Sequence, residues 1–222
     1  VLRLVERLSQ LGHRYAKTLD EIDESVSRIN GQVADRLSLL TGKTRLPGFS
    51  KPWRPATLSA LLSYEQPGRY LVSTTRQLES GRIPVLTAGK TFILGYTNDT
   101  EGVCKSLPVI IFDDFTTASK YVDFAFKAKS SAMKLLRARP GIADLRFIYE
   151  RMQLINFFVG DHKRHWISEY SKIEILVPDL EEQVAIANAL QEFDVLVEAT
   201  NERLGKLNDL KLAAAQRLIA VS

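Results

Sequence analysis

The prolines of this chain are confined to its middle. All eight lie between Pro47 and Pro178, which leaves residues 1–46 and 179–222 without proline. Proline removes a backbone hydrogen-bond donor and clashes with the preceding turn, so its absence permits long helices. The aromatic residues show the same division, since only Tyr15 and Phe193 lie outside positions 49–170. The pattern predicts two long helices flanking a globular middle.

The second proline-free segment carries a heptad pattern. Asp179 can cap a helix, with Glu181 and Glu182 beside its positive end. Thr200 and Lys211 complete a series of alternating steps of four and three that is otherwise apolar: Ile186, Leu190, Phe193, Val197, Leu204, Leu207, Ala214 and Leu218. A seam sustained over more than four heptads favours a coiled coil.

The first segment shows the same period more loosely. Gly12 and Gly31 each weaken it by about 1 kcal/mol relative to alanine, so we expect this helix to need a partner. Gly42 is a candidate C-cap. The apolar positions expected to take part in helix pairing include Ile22, Val26, Ile29, Val33 and Leu37.

The middle alternates strand-like and helix-like segments. We expect strands at 83–87, 91–96, 108–112 and 173–177, with another possible at 121–126, and helices at 131–139 and 142–156. The predicted fold class is α+β. The expected domains are an N-terminal helix (1–42), a globular middle (43–178) and a C-terminal helix (179–222).

The composition indicates the cellular compartment and limits the kinds of partner that we expect. Cys104 is the single cysteine, which excludes an internal disulfide and fits a reducing compartment. We find no leader-like segment and no apolar run long enough to span a membrane, so we expect a cytoplasmic protein without membrane contact. The net charge of +4 permits a nucleic-acid partner without requiring one.

Catalytic and cofactor signatures are weak. No glycine-rich nucleotide motif is present, and His162 with His165 lacks further ligands for zinc. Asp113 or Asp114 with Asp161-His-Lys163 could be read as a Mg²⁺-dependent nuclease site, but solvated turn carboxylates explain these residues better. We therefore predict no catalytic residue, metal or cofactor, and a buried, structural Cys104.

Basic and hydroxyl residues gather in the predicted loops, and these side chains suit phosphate and base-edge contacts. Trp166, beside the last of them, is expected in the core. The predicted DNA-binding residues are Arg69, Arg76, Arg82, Lys90, Thr91, Thr116, Thr117, Lys120, Lys163, Arg164 and His165.

Three segments resemble the specificity subunits of type I restriction–modification systems. They are Leu39-Leu-Thr-Gly-Lys-Thr-Arg-Leu-Pro-Gly-Phe49 with Trp53, His165-Trp-Ile-Ser-Glu-Tyr-Ser-Lys-Ile-Glu-Ile175, and Pro178-Asp-Leu-Glu-Glu-Gln-Val-Ala-Ile-Ala187 followed by Asp194 and by 207–218. Asp113-Asp-Phe-Thr116 adds to the match. The resemblance covers about residue 35 to the end.

The resemblance implies a non-catalytic subunit whose recognition domain reads half of a split double-stranded DNA target. It implies that the two helices pair antiparallel, fix the spacing of the half-sites, and dock methyltransferase subunits and through them restriction subunits. Since the family usually carries two recognition domains, we expect either a fragment or a half-length subunit that forms a homodimer. A coiled-coil scaffold with a ligand- or protein-binding middle, or a nuclease, remains the alternative.

Overall fold

The computed structural model describes residues 2–74, 76–89, 91–159 and 164–219, with the side chains of 2–5, 7–8 and 217–219 outside that description. The chain divides into a helical unit, Val1–Arg45 with Asn188–Ser222, and a middle unit, Leu46–Ala187. No helix in the described residues is both long enough and apolar enough to cross a bilayer.

Two 40-residue helices, α1 (Leu2–Thr41) and α5 (Leu180–Ile219), confirm the predicted long helices. Gly42 ends α1 at a φ of 72°, and its amide donates to the Leu39 carbonyl, as predicted for a C-cap. At the start of α5, the Asp179 carbonyl accepts hydrogen bonds from the amides of Glu182 and Gln183.

Within the helical unit, α1 and α5 run antiparallel. Arg36 pairs with Asp194, and Arg203 pairs with Glu21, so positions that rise along one helix fall along the other. Further along, a cleft between the helices is lined by residues 11–21 of α1 and residues 207–214 of α5. The observed fold is therefore a mixed α/β unit together with an antiparallel helix pair.

The inner face of α5 follows the predicted heptad series. Ile186, Leu190, Thr200 and Leu207 are buried, and the other described positions of the series are half-buried: Phe193, Val197, Leu204, Lys211 and Ala214. The side chain of Leu218 lies outside the described residues.

The inner face of α1 differs from the expected stripe. Ile22 and Ile29 are half-buried, but Val26, Val33 and Leu37 are 42%, 55% and 45% exposed. The less exposed series instead passes through polar residues: Ser25, Gln32 and Arg36. Two of these polar side chains have hydrogen-bond partners, which makes their burial tolerable. The Ser25 hydroxyl donates to the Glu21 carbonyl, and the Arg36 guanidinium donates to the Asp194 carboxylate. The three exposed apolar residues are thus not buried by helix pairing within this chain.

The middle unit is built on a mixed set of sheets. Strands β2 (Leu62–Glu65), β8 (Met133–Ala138), β5 (Val109–Asp113) and β6 (Ser119–Val122) form an antiparallel sheet in that order. A second sheet has the order β4 (Ile93–Thr97), β3 (Ile83–Leu86), β7 (Lys127–Ala128). Strand β1 (Arg54–Thr57) pairs with β9 (Glu174–Val177).

Short helices complete the unit. They are α2 (Leu58–Leu61), α3 (Leu145–Gln153), α4 (His165–Ser168) and the 3₁₀ turns Gly68–Tyr70 and Tyr170–Lys172. Asp144 caps α3 by accepting from the Phe147 amide at 2.8 Å. The core between the sheets contains Leu86, Val109, Ile111, Phe126 and Leu135, all inaccessible to solvent.

The prediction of a helix at 131–139 is wrong. This segment contains good helix formers, yet Met133–Ala138 is strand β8, in the interior of the larger sheet. Its first four residues are buried in succession, a pattern typical of a strand covered on both faces. Tertiary burial has overridden intrinsic propensity here.

Gln183, in the first turn of α5, ties the end of the middle unit to the start of α3. Its side chain is 1% exposed; it donates to the Pro178 and Ile142 carbonyls and accepts from the Asp144 amide. The sequence placed this residue at a helix start and in the segment at 178–187 that resembles the specificity subunits, without giving it a bonding role. Its amide instead satisfies three backbone groups at the junction of two helices.

Candidate nucleic-acid interface

A buried ion pair lies within the middle unit, where β5 ends beside β8. The ammonium of Lys134 is 2.9 Å from a carboxylate oxygen of Asp114, and both side chains are 1% exposed. Lys134 also donates to the Gln66 side chain and lies 5.9 Å from the Tyr64 ring centroid. Pairing and hydrogen bonding offset the cost of removing both charges from water.

Asp114 also anchors the segment that begins at Arg164. Its carbonyl accepts from the His165 amide at 2.8 Å, and its carboxylate accepts from the Trp166 amide at 2.9 Å. Trp166 is 2% exposed and its ring packs against Phe112, which confirms its predicted place in the core. The ion pair therefore holds the start of α4 against the end of β5.

Asp113, next to it, shapes the turn between β5 and β6. Its carboxylate accepts from the amides of Phe115 and Thr116 at 2.9 Å each. Thr117 adopts a φ of 58°, and its amide donates to the Asp113 carbonyl. A carboxylate that accepts several backbone donors stabilises the turn in a defined conformation.

Four predicted DNA-binding residues lie in this turn or on the segments that adjoin it. Thr116 and Thr117 lie in it, Lys120 lies on β6, and Arg164 directly precedes the residue that donates to Asp114. Within the described part of the chain, no ion pair engages Lys120 or Arg164. We call Thr116, Thr117, Lys120 and Arg164 the hairpin corner. It presents two hydroxyls and two cations, the groups that contact phosphates and base edges.

His165 does not belong to this surface. Its side chain is 1% exposed and its ring packs 5.4 Å from that of Phe157, so the prediction of a DNA contact is wrong for this residue. Neither ring nitrogen has a hydrogen-bond partner in the described residues, although Nδ1 is 3.8 Å from a Glu169 carboxylate oxygen. Anchoring of its amide on Asp114 turns the imidazole inward.

A second group of predicted residues lies on the loops around the smaller sheet. Arg76, Arg82 and Thr91 are exposed there, and the Arg82 amide donates to the Asn98 side chain. Arg69, in the 3₁₀ turn after β2, is paired with Glu65. Lys90 and Lys163 lie outside the described residues, so their roles stay predictions.

The loop at residues 99–102, which approaches Arg69, is held by a buried lysine. Lys127 is 3% exposed and donates to the Asp99 carboxylate and the Glu101 carbonyl. The Lys127 ammonium lowers the pKa of Asp99. Gly102 follows at a φ of 58°, where an added Cβ would lie 2.3 Å from the Arg69 carbonyl oxygen. Only glycine permits this close approach.

The residues that could form a nuclease or metal site have other partners in the structure. Asp114 forms an ion pair with Lys134, and the Asp113 carboxylate accepts hydrogen bonds within the turn. Asp161 and His162 lie outside the described residues. Among the described residues, no group of three or more potential ligands could hold a metal. Cys104 is buried, as predicted, and burial raises the pKa of its thiol, which disfavours the reactive thiolate.

Comparison with known proteins identifies the kinship of this arrangement. The chain is 47% identical over 175 residues to the EcoR124I/EcoR124II specificity subunit of a type I restriction enzyme from Escherichia coli. The match covers 73% of this chain and 42% of that protein. The chain is a relative of type I restriction-enzyme specificity subunits. It spans less than half the length of the curated relative it matches, and no family model matches it.

Solved structures agree on the fold of this specificity-subunit relative. The HsdS subunit from Thermoanaerobacter tengcongensis has a TM-score of 0.58 at 15% identity, covering 97% of this chain and 58% of that one. The S subunit from M. genitalium has a TM-score of 0.58 at 14% identity, covering 97% and 59% respectively. A structure described in work on complex assembly of the type I R-M system has a TM-score of 0.59. At such identities the likeness concerns the fold alone.

Proposed function

We propose that this chain is a non-catalytic DNA-recognition subunit that reads one half of a bipartite target within a type I restriction–modification complex. The observation that carries the proposal is the 47% identity to a type I specificity subunit. The hairpin corner supports it from the structure, because it gathers cations and hydroxyls around a turn that Asp113 and Asp114 hold in place.

In this proposal residues 43–178, which make up most of the middle unit, are the recognition domain. Lys120 and Arg164 at the hairpin corner, together with Arg69, Arg76 and Arg82 on the second group of loops, contact phosphates and place the unit on the duplex, and Lys90 joins them in this role. Side chains of the same loops reach base edges in the groove, where the pattern of donors and acceptors differs for each base pair. Lys163 and the threonines Thr91, Thr116 and Thr117 contribute to the same contacts.

The helices, residues 1–42 and 179–222, act as the spacer. Their antiparallel pairing is stiff, so a second recognition domain on the same frame would meet the duplex at a fixed distance. We propose that their outer faces dock methyltransferase subunits and, through them, restriction subunits. Val26, Val33 and Leu37, which are exposed on α1, are candidates for helix pairing with a second copy of the chain. The protein acts in the cytoplasm.

The test is selection of bound sequences from random duplex DNA by the chain mixed with a type I methyltransferase subunit. We expect enrichment of a short fixed sequence, in one copy or in two copies at constant spacing. The double variant K120Q/R164Q should form the same protein complex and give weaker enrichment. Sequences that stay random although the protein complex forms would favour a scaffold. Metal-dependent cleavage by the chain alone would favour a nuclease.

A further inference from the structure

An open cleft of about 480 Å³ lies between the 3₁₀ turn Gly68–Tyr70 and the loop that leads from β4 to β5. Two cations line it, Arg69 from the turn and Lys105 from the loop. The hydroxyl residues Thr100 and Ser106 line it as well, and none of the described residues around it is acidic. We call Arg69, Thr100, Lys105 and Ser106 the arginine cleft. Such a set of side chains suits an anion.

The two walls of the arginine cleft are in close contact. Gly102, on the loop, has a φ of 58°, and a Cβ added to it would lie 2.3 Å from the Arg69 carbonyl oxygen. Behind the loop, the buried Lys127 ammonium donates to the Glu101 carbonyl at 2.7 Å. These contacts hold the turn and the loop together, so the cleft is a fixed feature of the middle unit.

Arg137, on β8, joins both walls. Its guanidinium donates to the Ser106 carbonyl and lies 3.5 Å from a carboxylate oxygen of Glu65. The other oxygen of Glu65 pairs with Arg69, whose guanidinium also lies 4.8 Å from the Tyr70 ring centroid. Glu65 thus orients Arg69 and serves two guanidinium groups with one charge. Because the Arg69 side chain is still 68% exposed, it can reach a ligand.

Lys105 supplies the second cation from the opposite wall. It is exposed, and no ion pair engages it in the part of the chain that the structure describes. The preceding residue, Cys104, is buried, and its amide donates to the Phe126 carbonyl at 2.8 Å. The backbone that carries Lys105 is therefore held in place. An oriented arginine and an unpaired lysine in one cleft leave an excess of positive charge there.

The arginine cleft and the hairpin corner lie on segments from opposite edges of the larger sheet. Arg69 follows β2, and Lys120 lies on β6, the two outer strands in the order β2, β8, β5, β6. Three strand spacings of about 4.8 Å separate these strands, or roughly 14 Å. Phosphate contacts fix the orientation of a protein on the duplex, and two separated contacts do so better than one.

Resting on the proposed function, we propose that the arginine cleft binds a backbone phosphate of the target DNA, which Arg69 and Lys105 hold jointly. Lys105 is thereby a DNA contact that no sequence pattern indicated. Neutralising a phosphate releases its counterions, so the contact contributes to the salt dependence of binding. Since both cations hold the same phosphate, removing the second should cost less than removing the first.

The experiment measures binding of a labelled random-sequence duplex of about 30 base pairs at several KCl concentrations, with and without a type I methyltransferase subunit. R69Q and K105Q should each weaken binding, and the double variant should cost less than the sum of the two losses. R69Q/K105Q should reduce the magnitude of the slope of log K against log salt by about 0.9, the value for one phosphate. The ratio of parent to double-variant affinity should then fall about 3.5-fold for a fourfold rise in salt.

Lys172→Gln is the matched control, because Lys172 is exposed in the middle unit and is not among the residues that line the cleft. It should leave the slope unchanged. A slope that R69Q/K105Q does not alter, while the parent chain binds DNA normally, would overturn this inference and leave the proposed function standing. A reduction of about 1.8 would indicate two separate phosphates and overturn the joint site.

Two further measurements separate other occupants from DNA. Lost capture of the methyltransferase subunit by R69Q/K105Q, with unchanged DNA binding, would assign the arginine cleft to an acidic protein surface. Binding of inorganic pyrophosphate that the double variant abolishes, again with unchanged DNA binding, would assign it to a free phosphate compound. Either result would overturn this inference. Absence of salt-dependent DNA binding by the parent chain would remove both proposals.

Discussion

The ammonium of Lys134 lies 2.9 Å from the carboxylate of Asp114, with both side chains 1% exposed. The pair joins two neighbouring strands, since Asp113 stands opposite Met133 in the register of β5 and β8. The same aspartate receives two amide donors from the start of α4. One buried carboxylate therefore links the larger sheet to the segment that carries Arg164.

Replacing Lys134 by methionine should be strongly destabilising. The change leaves the Asp114 charge buried without its partner, and such losses cost about 3–5 kcal/mol. The free energy of unfolding in urea, followed by tryptophan emission, measures this. The double variant D114N/K134M should cost less than the sum of the single changes. As a control, Lys51→Met removes an exposed pair with Asp179 and should leave the urea midpoint unchanged.

Gly102→Ala should be more destabilising than Gly141→Ala. Both glycines have positive φ, 58° and 74°, so each alanine brings strain of about 1–2 kcal/mol. An added Cβ meets nothing within 4 Å at Gly141 but lies 2.3 Å from the Arg69 carbonyl oxygen at Gly102. The difference between the two unfolding free energies isolates the backbone clash. Equal losses would show that the loop yields without cost.

Arg36 and Asp194 should show a small favourable coupling in a double-mutant cycle with R36M and D194N. Their side chains are 24% and 42% exposed, so water screens the pair and the coupling should be about 0.5 kcal/mol. Thermal unfolding of the four proteins gives the value. A charge swap, R36D with D194R, should recover most of the loss of either single change. Failure to recover would mean that other contacts of these residues dominate.

Tyr170 should make folding sensitive to alkali. Burial raises the pKa of its phenol from 10.0 to about 12, so the folded state disfavours the phenolate. The stabilisation is full below about pH 10 and is lost as the pH rises towards 12, by up to about 2.7 kcal/mol. Tyr170→Phe should remove this part of the alkaline loss. Tyr64→Phe, which keeps Tyr170, should retain it.

The sequence predicted the features that depend on local chemistry. Proline placement and the heptad series gave both long helices, and Gly42 and Asp179 mark their ends as expected. The segment 131–139 failed because its residues favour helix locally, and only burial between β2 and β5 makes it a strand. No local signal encodes that choice.

The sequence indicated which types of residue would form the candidate site, but it did not indicate which of them would face outward. Arg164 directly precedes the residue that bonds Asp114, and Lys120 lies on β6 beyond the turn, but His165 points inward because its amide is held by Asp114. That bond joins residues far apart in sequence, and so does the ion pair to Lys134. Spacing along one chain cannot reveal which basic residues such contacts turn outward. The polar inner positions of α1 were not predicted for a similar reason. The apolar pattern alone favoured Val26 and Val33, and the partners of the polar residues could not be foreseen.

The pairing of Arg36 with Asp194 has a consequence for the spacer role that we propose for the helices. A shift of one helix past the other by seven residues would preserve the heptad match but separate the guanidinium from its carboxylate. Such a shift is about 10.5 Å at 1.5 Å per residue, or roughly three base pairs of B-form DNA. This modest, half-exposed ion pair would then select a single register of the two helices, whereas the apolar seam alone is compatible with several registers.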